Sequence, residues 1–279
     1  MTGGWANNDE LASSGIFESV HSGLTVQLIA TPRAQLMTCK ADEAAALVLK
    51  RNTDRYDHLP VLDLAAGEER IVGLFNASNF FKAPPPDGQV RNHMLPLAEE
   101  YLIGADASIL DFVIDADSKP CRLVLAGARI AGLVSLSDLQ RLPVRAALFA
   151  LITGLEIAMT EAIRRRYPTT AEWMHHLSQG RRDALREQIE ESRRDDGFVD
   201  DLLFTQFCDK ADIIRKSVSF SRSMTKTRDW FTEIQKLRDN LAHANEYAAS
   251  PDHARHVCGV VRNLLTLKTE IVGDVSSSG

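Results

Sequence analysis

Two periodicities of apolar residues divide this chain near residue 142. Before it, short apolar runs alternate with Gly, Pro and Asp; after it, apolar residues recur three and four apart. In the first part, Asp42 to Leu49 predicts a helix, Leu59-Pro60-Val61-Leu62-Asp63 a strand, Ala66-Gly67-Glu68-Glu69 a turn and Arg70 to Phe75 a second strand. The order then repeats: Ile109 to Ile114 predicts a helix, Cys121 to Leu125 a strand, Ala126-Gly127-Ala128 a turn and Arg129 to Val134 a strand that runs into Ser135 to Leu139. A helix with one hairpin cannot bury both faces of its small sheet, so the two copies are expected to pack together. Ala83 to Gly88, with three prolines, predicts a stiff, extended connector between them.

In the second part, Leu142-Pro143 opens a long helix, since proline suits a first turn. Leu148, Leu151, Ile152, Leu155, Met159 and Ile163 form its buried face, and Pro168 stops it. A second helix is expected over Thr170 to Asp196, with a break near Gly180. Leu203, Phe207, Ala211, Ile214 and Val218 predict a third, and Trp230, Ile234, Leu237 and Leu241 a fourth. Ser250-Pro251 opens a fifth, carrying Val257, Val260, Val261, Leu264 and Leu265. The expected class is α+β: an N-terminal arm at 1–24, an α/β repeat pair at 25–142, an all-α bundle at 143–273 and a disordered tail at 274–279.

Composition narrows the function. At 44% hydrophobic and 25% charged the chain is an ordinary globular sequence, long enough at 279 residues for two cores. No run of about 18 apolar residues is evident, and the N-terminus lacks a signal-peptide layout, so no membrane partner and a cytoplasmic location are expected. Cys39, Cys121, Cys208 and Cys258 contain no C-x-x-C pair, which predicts reduced, mostly buried thiols rather than zinc ligands or a disulfide framework. His175 and His176, being adjacent, should point to different sides of a helix, and His253 with His256 lacks a third metal ligand. Walker, G-x-S-x-G and Rossmann motifs are absent. The net charge of −6 argues against nonspecific coating of nucleic acid. From Ile213 to His243, however, seven Arg and Lys stand against three acids, which is either a phosphate-attracting face or a solvated basic one.

Leu59-Pro60-Val61-Leu62-Asp63 before the first hairpin, and Gly132 to Asp138 reading Gly-x-x-Ser-x-x-Asp, resemble a tandem pair of CBS domains over about Val26 to Arg141. The resemblance implies an adenine nucleotide (AMP, ADP or ATP) as regulatory ligand in the cleft between the copies. Ser135 would contact phosphate, Asp138 would accept the ribose hydroxyls, and Gly132 would let backbone approach the ligand. Ser135 with Asp138 equally fits a helix-capping box. The first repeat has Asn76 and Asn79 at the matching places, so occupancy of the second repeat is expected.

Arg238-Asp239-Asn240-Leu241-Ala242-His243, on the penultimate helix of an all-helical domain, resembles the R-x-x-x-x-H motif of the HEPN superfamily. That resemblance implies a metal-independent endoribonuclease with a composite site in a homodimer, with RNA as substrate and no metal or other cofactor required for catalysis. The chemistry is coherent, because RNA carries its own 2′-hydroxyl nucleophile. His243 would transfer protons near neutral pH, Arg238 would hold the phosphorane charge, and Asp239 would orient the histidine or the RNA. On an ideal helix Arg238 and His243 are about 140° and about 7.5 Å apart, so they do not stack, and one histidine cannot serve both sides of an in-line attack. Glu156 is an acid in the apolar first helix, either facing the same cleft or lying at the edge of the buried stripe. The alternative function is a noncatalytic nucleotide-sensing regulator whose helical domain binds RNA or a protein partner.

Overall fold

The computed structural model describes residues 22–65, 68–194 and 200–277. The expected arm lies almost wholly outside these residues, as do Ala66-Gly67 of the first turn and the last two residues of the expected tail. The chain divides between Val144 and Arg145 into two compact units.

The N-terminal unit holds two four-stranded sheets. Strands β1 (Thr31–Pro32), β8 (Arg129–Ser135), β7 (Cys121–Ala126) and β6 (Leu102–Gly104) lie in that order in one; β2 (Cys39–Lys40), β3 (His58–Ala65), β4 (Glu68–Asn76) and β5 (Leu95–Pro96) form the other. Each sheet is built around an antiparallel hairpin, β3/β4 or β7/β8, with a parallel strand on one side and an antiparallel edge strand on the other. The registers match: His58 faces Asn76 and Val61 faces Gly73, while Cys121 faces Ser135 and Val124 faces Gly132. The edge strands are exchanged. β1 precedes the first repeat yet pairs in the second sheet, and β5 precedes the second repeat yet pairs in the first. Helices α1 (Ala45–Arg51) and α2 (Ile109–Val113) belong one to each repeat, with Ala45 and Val48 of α1 packed on Leu59, Val61 and Phe75. Ile71 and Leu74 from one sheet join Cys121, Leu123 and Leu133 from the other in a single cluster, so the copies do bury their faces on each other.

The second unit is helical among the described residues: α3 (Leu142–Arg166), whose first turn contains the division, then α4 (Thr170–Met174), α5 (Gln179–Arg194), α6 (Phe207–Ser217), α7 (Met224–Ala242) and α8 (Pro251–Ser277). The expected face of α3 is buried from Leu148 to Ile163. By length and composition α3 could also cross a membrane, contrary to the expectation that no such stretch exists. Glu156 and Glu161 interrupt the run without making it polar, and more than half of the apolar window is buried in the fold.

The expected break near Gly180 falls just before it: α4 ends after one turn and the chain restarts at Gln179. Four other local expectations are corrected. In the break between α4 and α5, the adjacent His175 and His176 rings do not point apart but lie 3.8 Å from each other, centroid to centroid, with Tyr167 Oη 2.7 Å from His176 Nε2. Leu203 is exposed in a 3-10 turn, with Leu202 buried in its place. On α7 the buried face is Thr227, Phe231, Ile234, Leu237 and Leu241; Trp230 is half-buried, with the Arg222 guanidinium 4.1 Å from its ring centre. Finally, α8 runs to Ser277, beyond the expected end at 273, because Leu264, Leu267 and Ile271 continue its buried spacing.

Candidate functional site

In the N-terminal unit, Gly132 has a definite backbone role. A Cβ at Gly132 would lie 2.4 Å from the carbonyl oxygen of Thr31, and one at Gly73 would lie 2.3 Å from that of Leu95. Both glycines therefore admit the exchanged edge strand, which at Gly132 is β1. Ser135 and Asp138 form the capping box of the 3-10 turn Leu136–Gln140. Asp138 accepts from Ser135 N at 2.7 Å, Ser135 Oγ at 3.1 Å and Arg141 Nε at 2.7 Å. Of the two readings of this motif, the cap is the one these hydrogen bonds realise. Burial still pushes the Asp138 carboxyl above its ordinary pKa, against the opposing pull of Ser135 and Arg141.

A cavity of about 390 Å³ opens where the two repeats meet. His58, Leu74 and Asn76 of the first repeat line it together with Ser118, Lys119, Pro120 and Cys121 of the second, and Leu95, Glu100 and Tyr101 complete the wall. It thus adjoins Asn76 of the first repeat as well as the start of β7 in the second. Burial lowers the His58 pKa, opposed by Asp57. The Cys121 thiol is pushed up by burial, with Asp138 and Asp57 adding to the shift, and is a packing group rather than a nucleophile.

In the helical unit, Arg238 and Asp239 line a second cavity of about 480 Å³ with Glu156, Gln235 and the segment Leu203 to Cys208. Arg238 Nε donates to Glu156 at 2.7 Å, and its Nη1 is 3.5 Å from Asp239. Beside this cluster Lys210 is only 9% exposed and donates to the Thr205 carbonyl at 3.1 Å. Burial holds its pKa below the usual lysine value; Arg238 adds to the shift, while Glu156 and Asp209 oppose it. Asp209 caps α6 by accepting from Gln206 N and is gripped by Arg181 Nε at 3.0 and 2.9 Å, which fixes the start of that helix.

His243 is not brought into this cavity. It is the exposed C-cap of α7, one residue past the last helical position. The fold thus unites Arg238 with Asp239 and Glu156 but leaves the histidine outside. Sequence reasoning missed Lys210 and Arg145; Arg145 donates to the carbonyls of Asn240 and Leu241 at 3.1 and 2.9 Å and fixes the end of α7. The basic segment is also less free than its composition implies. Arg215, Arg222, Arg228, Lys236 and Arg238 each have an acidic partner, and Asp212, Glu270 and Glu156 come from outside the segment.

No family model matches the chain, and no curated protein does. Solved structures with CBS domains are similar to its N-terminal half. The CBS domain of a bacterial CNNM/CorC family Mg2+ transporter in complex with ATP is 15% identical, covering 50% of this chain and 97% of that one at a TM-score of 0.36. CBSX2 in complex with AMP is 18% identical, covering 44% and 96% at 0.34. A hemolysin-like CBS protein of Oenococcus oeni PSU is 13% identical, covering 44% and 94% at 0.34. The architecture is α+β, with two four-stranded sheets in the N-terminal half and helices in the C-terminal half.

Proposed function

We propose that this chain is a nucleotide-responsive regulator: the paired repeats bind an adenine nucleotide, and the helical unit acts on RNA as a metal-independent endoribonuclease in a homodimer. The observation that carries the first part is the cavity shared by both repeats. Its Tyr101, Leu74 and Pro120 offer flat and apolar surface for a base, Asn76, Glu100 and Ser118 offer hydrogen bonds, and Lys119 offers a cation for phosphate. Calorimetry of the full chain with AMP, ADP and ATP tests it. Micromolar to millimolar binding that weakens in Lys119→Ala is expected; binding unchanged in that variant, or absent for all three nucleotides, overturns the assignment.

The RNA reading rests on Arg238 lining a polar cavity five residues before an exposed imidazole, that of His243. In a dimer, a second His243 would supply the acid that in-line cleavage needs. Exposed Ala146, Phe149, Thr153 and Ile157 fall within about 80° on α3, a continuous face for a second copy. Glu156 lies at the side of that face, so the face and the Arg238 cluster adjoin. Incubating the protein with RNA in EDTA tests the reading. Products ending in 2′,3′-cyclic phosphate and 5′-hydroxyl are expected, and their loss in His243→Ala. Cleavage that survives in that variant, or that requires magnesium, would falsify the nuclease.

One observation favours the noncatalytic alternative: Arg238 already donates to Glu156 and has a second carboxylate, that of Asp239, 3.5 Å away. RNA bound but not cut is the outcome that selects it.

A further inference from the structure

The cavity beside Arg238 has the wrong charge for a simple phosphate clamp. Glu156 and Asp239 are two carboxylates around one guanidinium, and Glu156 already occupies Arg238 Nε. A phosphate beyond the one under attack would meet more negative charge than positive there. The walls instead combine surface for stacking with a mixed hydrogen-bonding edge. Leu203 is 69% exposed, and Phe204 is half-buried beside it. Opposite them, Gln235, Arg238 and Asp239 share one face of α7 at spacings of three and four, with Gln206 on the rim. Asp239 keeps a half-exposed carboxylate whose near neighbour is Arg238 at 3.5 Å, beyond a strong hydrogen bond.

From this arrangement we infer that the cavity is a nucleobase pocket and that Asp239 selects guanine. The inference rests on the RNA reading above and deepens it. Single-stranded RNA is read by stacking splayed bases on apolar and aromatic side chains and bonding their Watson–Crick edges. A carboxylate is an acceptor pair, and guanine presents two adjacent donors, N1–H and N2–H, that match it. Adenine and cytosine each place an acceptor beside their amino group, and uracil flanks its single N–H with two carbonyls, so none of them offers that pair. The amide groups of Gln206 and Gln235 supply both a donor and an acceptor for the remaining edges.

The test uses the full-length His243→Ala chain, which prevents cutting and leaves the cavity lining intact, with fluorescent oligoadenylates carrying or lacking one central guanosine. EDTA is present throughout. A single guanosine should tighten binding about tenfold, the range of one good bidentate base contact. Adding Asp239→Asn, which replaces one acceptor by a donor, should abolish that preference while Gln235→Ala only reduces it. Equal affinity for both oligonucleotides, a guanosine preference that persists in Asp239→Asn, or no RNA binding at all overturns the inference. The nuclease reading fails separately. If the wild-type chain binds with guanosine preference but leaves the RNA intact, the pocket stands without the enzyme; cleavage with no base preference keeps the enzyme and removes the pocket.

Discussion

Glu156 on α3 accepts a 2.7 Å hydrogen bond from Arg238 Nε on α7, tying the apolar core helix to the helix that carries the R-x-x-x-x-H motif. The pair is partly solvated, with side chains 22% and 38% exposed, so its net contribution to folding is at most about 1 kcal/mol. Its larger effect is on the field in the cavity. Glu156→Gln should therefore leave the midpoint of thermal unfolding within a few degrees while strengthening RNA binding severalfold and steepening its salt dependence, because one opposing charge is gone. Anisotropy titrations at several salt concentrations measure both; unchanged affinity and slope would mean that RNA does not enter beside Arg238.

The exchanged edge strands give a second expectation. An alanine at Gly132 or Gly73 would press its methyl group into the carbonyl of Thr31 or Leu95, and backbone cannot swing aside as a side chain does. Each substitution should cost about 1–3 kcal/mol in urea unfolding, the range of an overpacked core. Gly127→Ala also meets a backbone penalty, at φ +59, but has open space around it and should leave the edge pairing intact. A Gly132→Ala protein as stable as the parent would mean that β1 does not pair where it is placed.

These glycines also mark how far the sequence is readable. The two hairpins are legible because alternating apolar runs flank a short turn, and α3 is legible because its apolar spacing is long and unbroken. Strands β1, β2, β5 and β6 are not. Each is two or three residues long, too short for a period, and β1 finds its partner about a hundred residues away. The same limit applies to the sites. An acid inside an apolar helix flags Glu156, but only the fold supplies Arg238 as its partner. Ser135 and Asp138 spell a motif that serves cap and ligand alike, and the fold shows the cap. Arg145 carries no local signal, since its acceptors lie about a hundred residues further on.

Arg122 and Asp115 form an ion pair under the second repeat, where Arg122 is 8% exposed and its Nε has no hydrogen-bond partner. The matching position of the first repeat, two residues before Val61 as Arg122 is before Val124, is Leu59. A buried pair seldom outperforms an apolar residue of similar size, but removing one partner strands the other charge. Asp115→Ala should thus cost about 3–5 kcal/mol, whereas the double variant Asp115→Ala, Arg122→Leu should recover most of that loss. Denaturant midpoints of the three proteins decide it, and a double variant no better than Asp115→Ala rules out the stranded-charge explanation.

The last expectation concerns the turn that presents His243. Helix α7 closes with Asn245 N donating to the Asn240 carbonyl at 2.9 Å and Ala244 N to that of Leu241 at 3.4 Å, which places Ala244 at the left-handed position usually held by glycine. Its φ of +54° strains an L residue, an expense of about 1–2 kcal/mol. Arg145 offsets this strain. Its guanidinium donates to three carbonyls, those of Asn240, Leu241 and Asn245, the last at 2.7 Å, and stacks 5.1 Å from the Tyr247 ring centre. A cation at a helix C-terminus is favourable in its own right, and charged hydrogen bonds are individually worth about 1.5–3 kcal/mol. Arg145→Ala should therefore lower stability by about 2 kcal/mol. Ala244→Gly should raise it by about 0.5 kcal/mol once the greater freedom of an unfolded glycine is subtracted, and should restore part of the loss in the double variant. Because His243 is held by this closure, Arg145→Ala should also reduce RNA cleavage at temperatures where the protein is still folded, and Ala244→Gly alone should not. A destabilising Ala244→Gly would show that the residue is not in the left-handed conformation, and cleavage insensitive to Arg145→Ala would separate His243 from the chemistry.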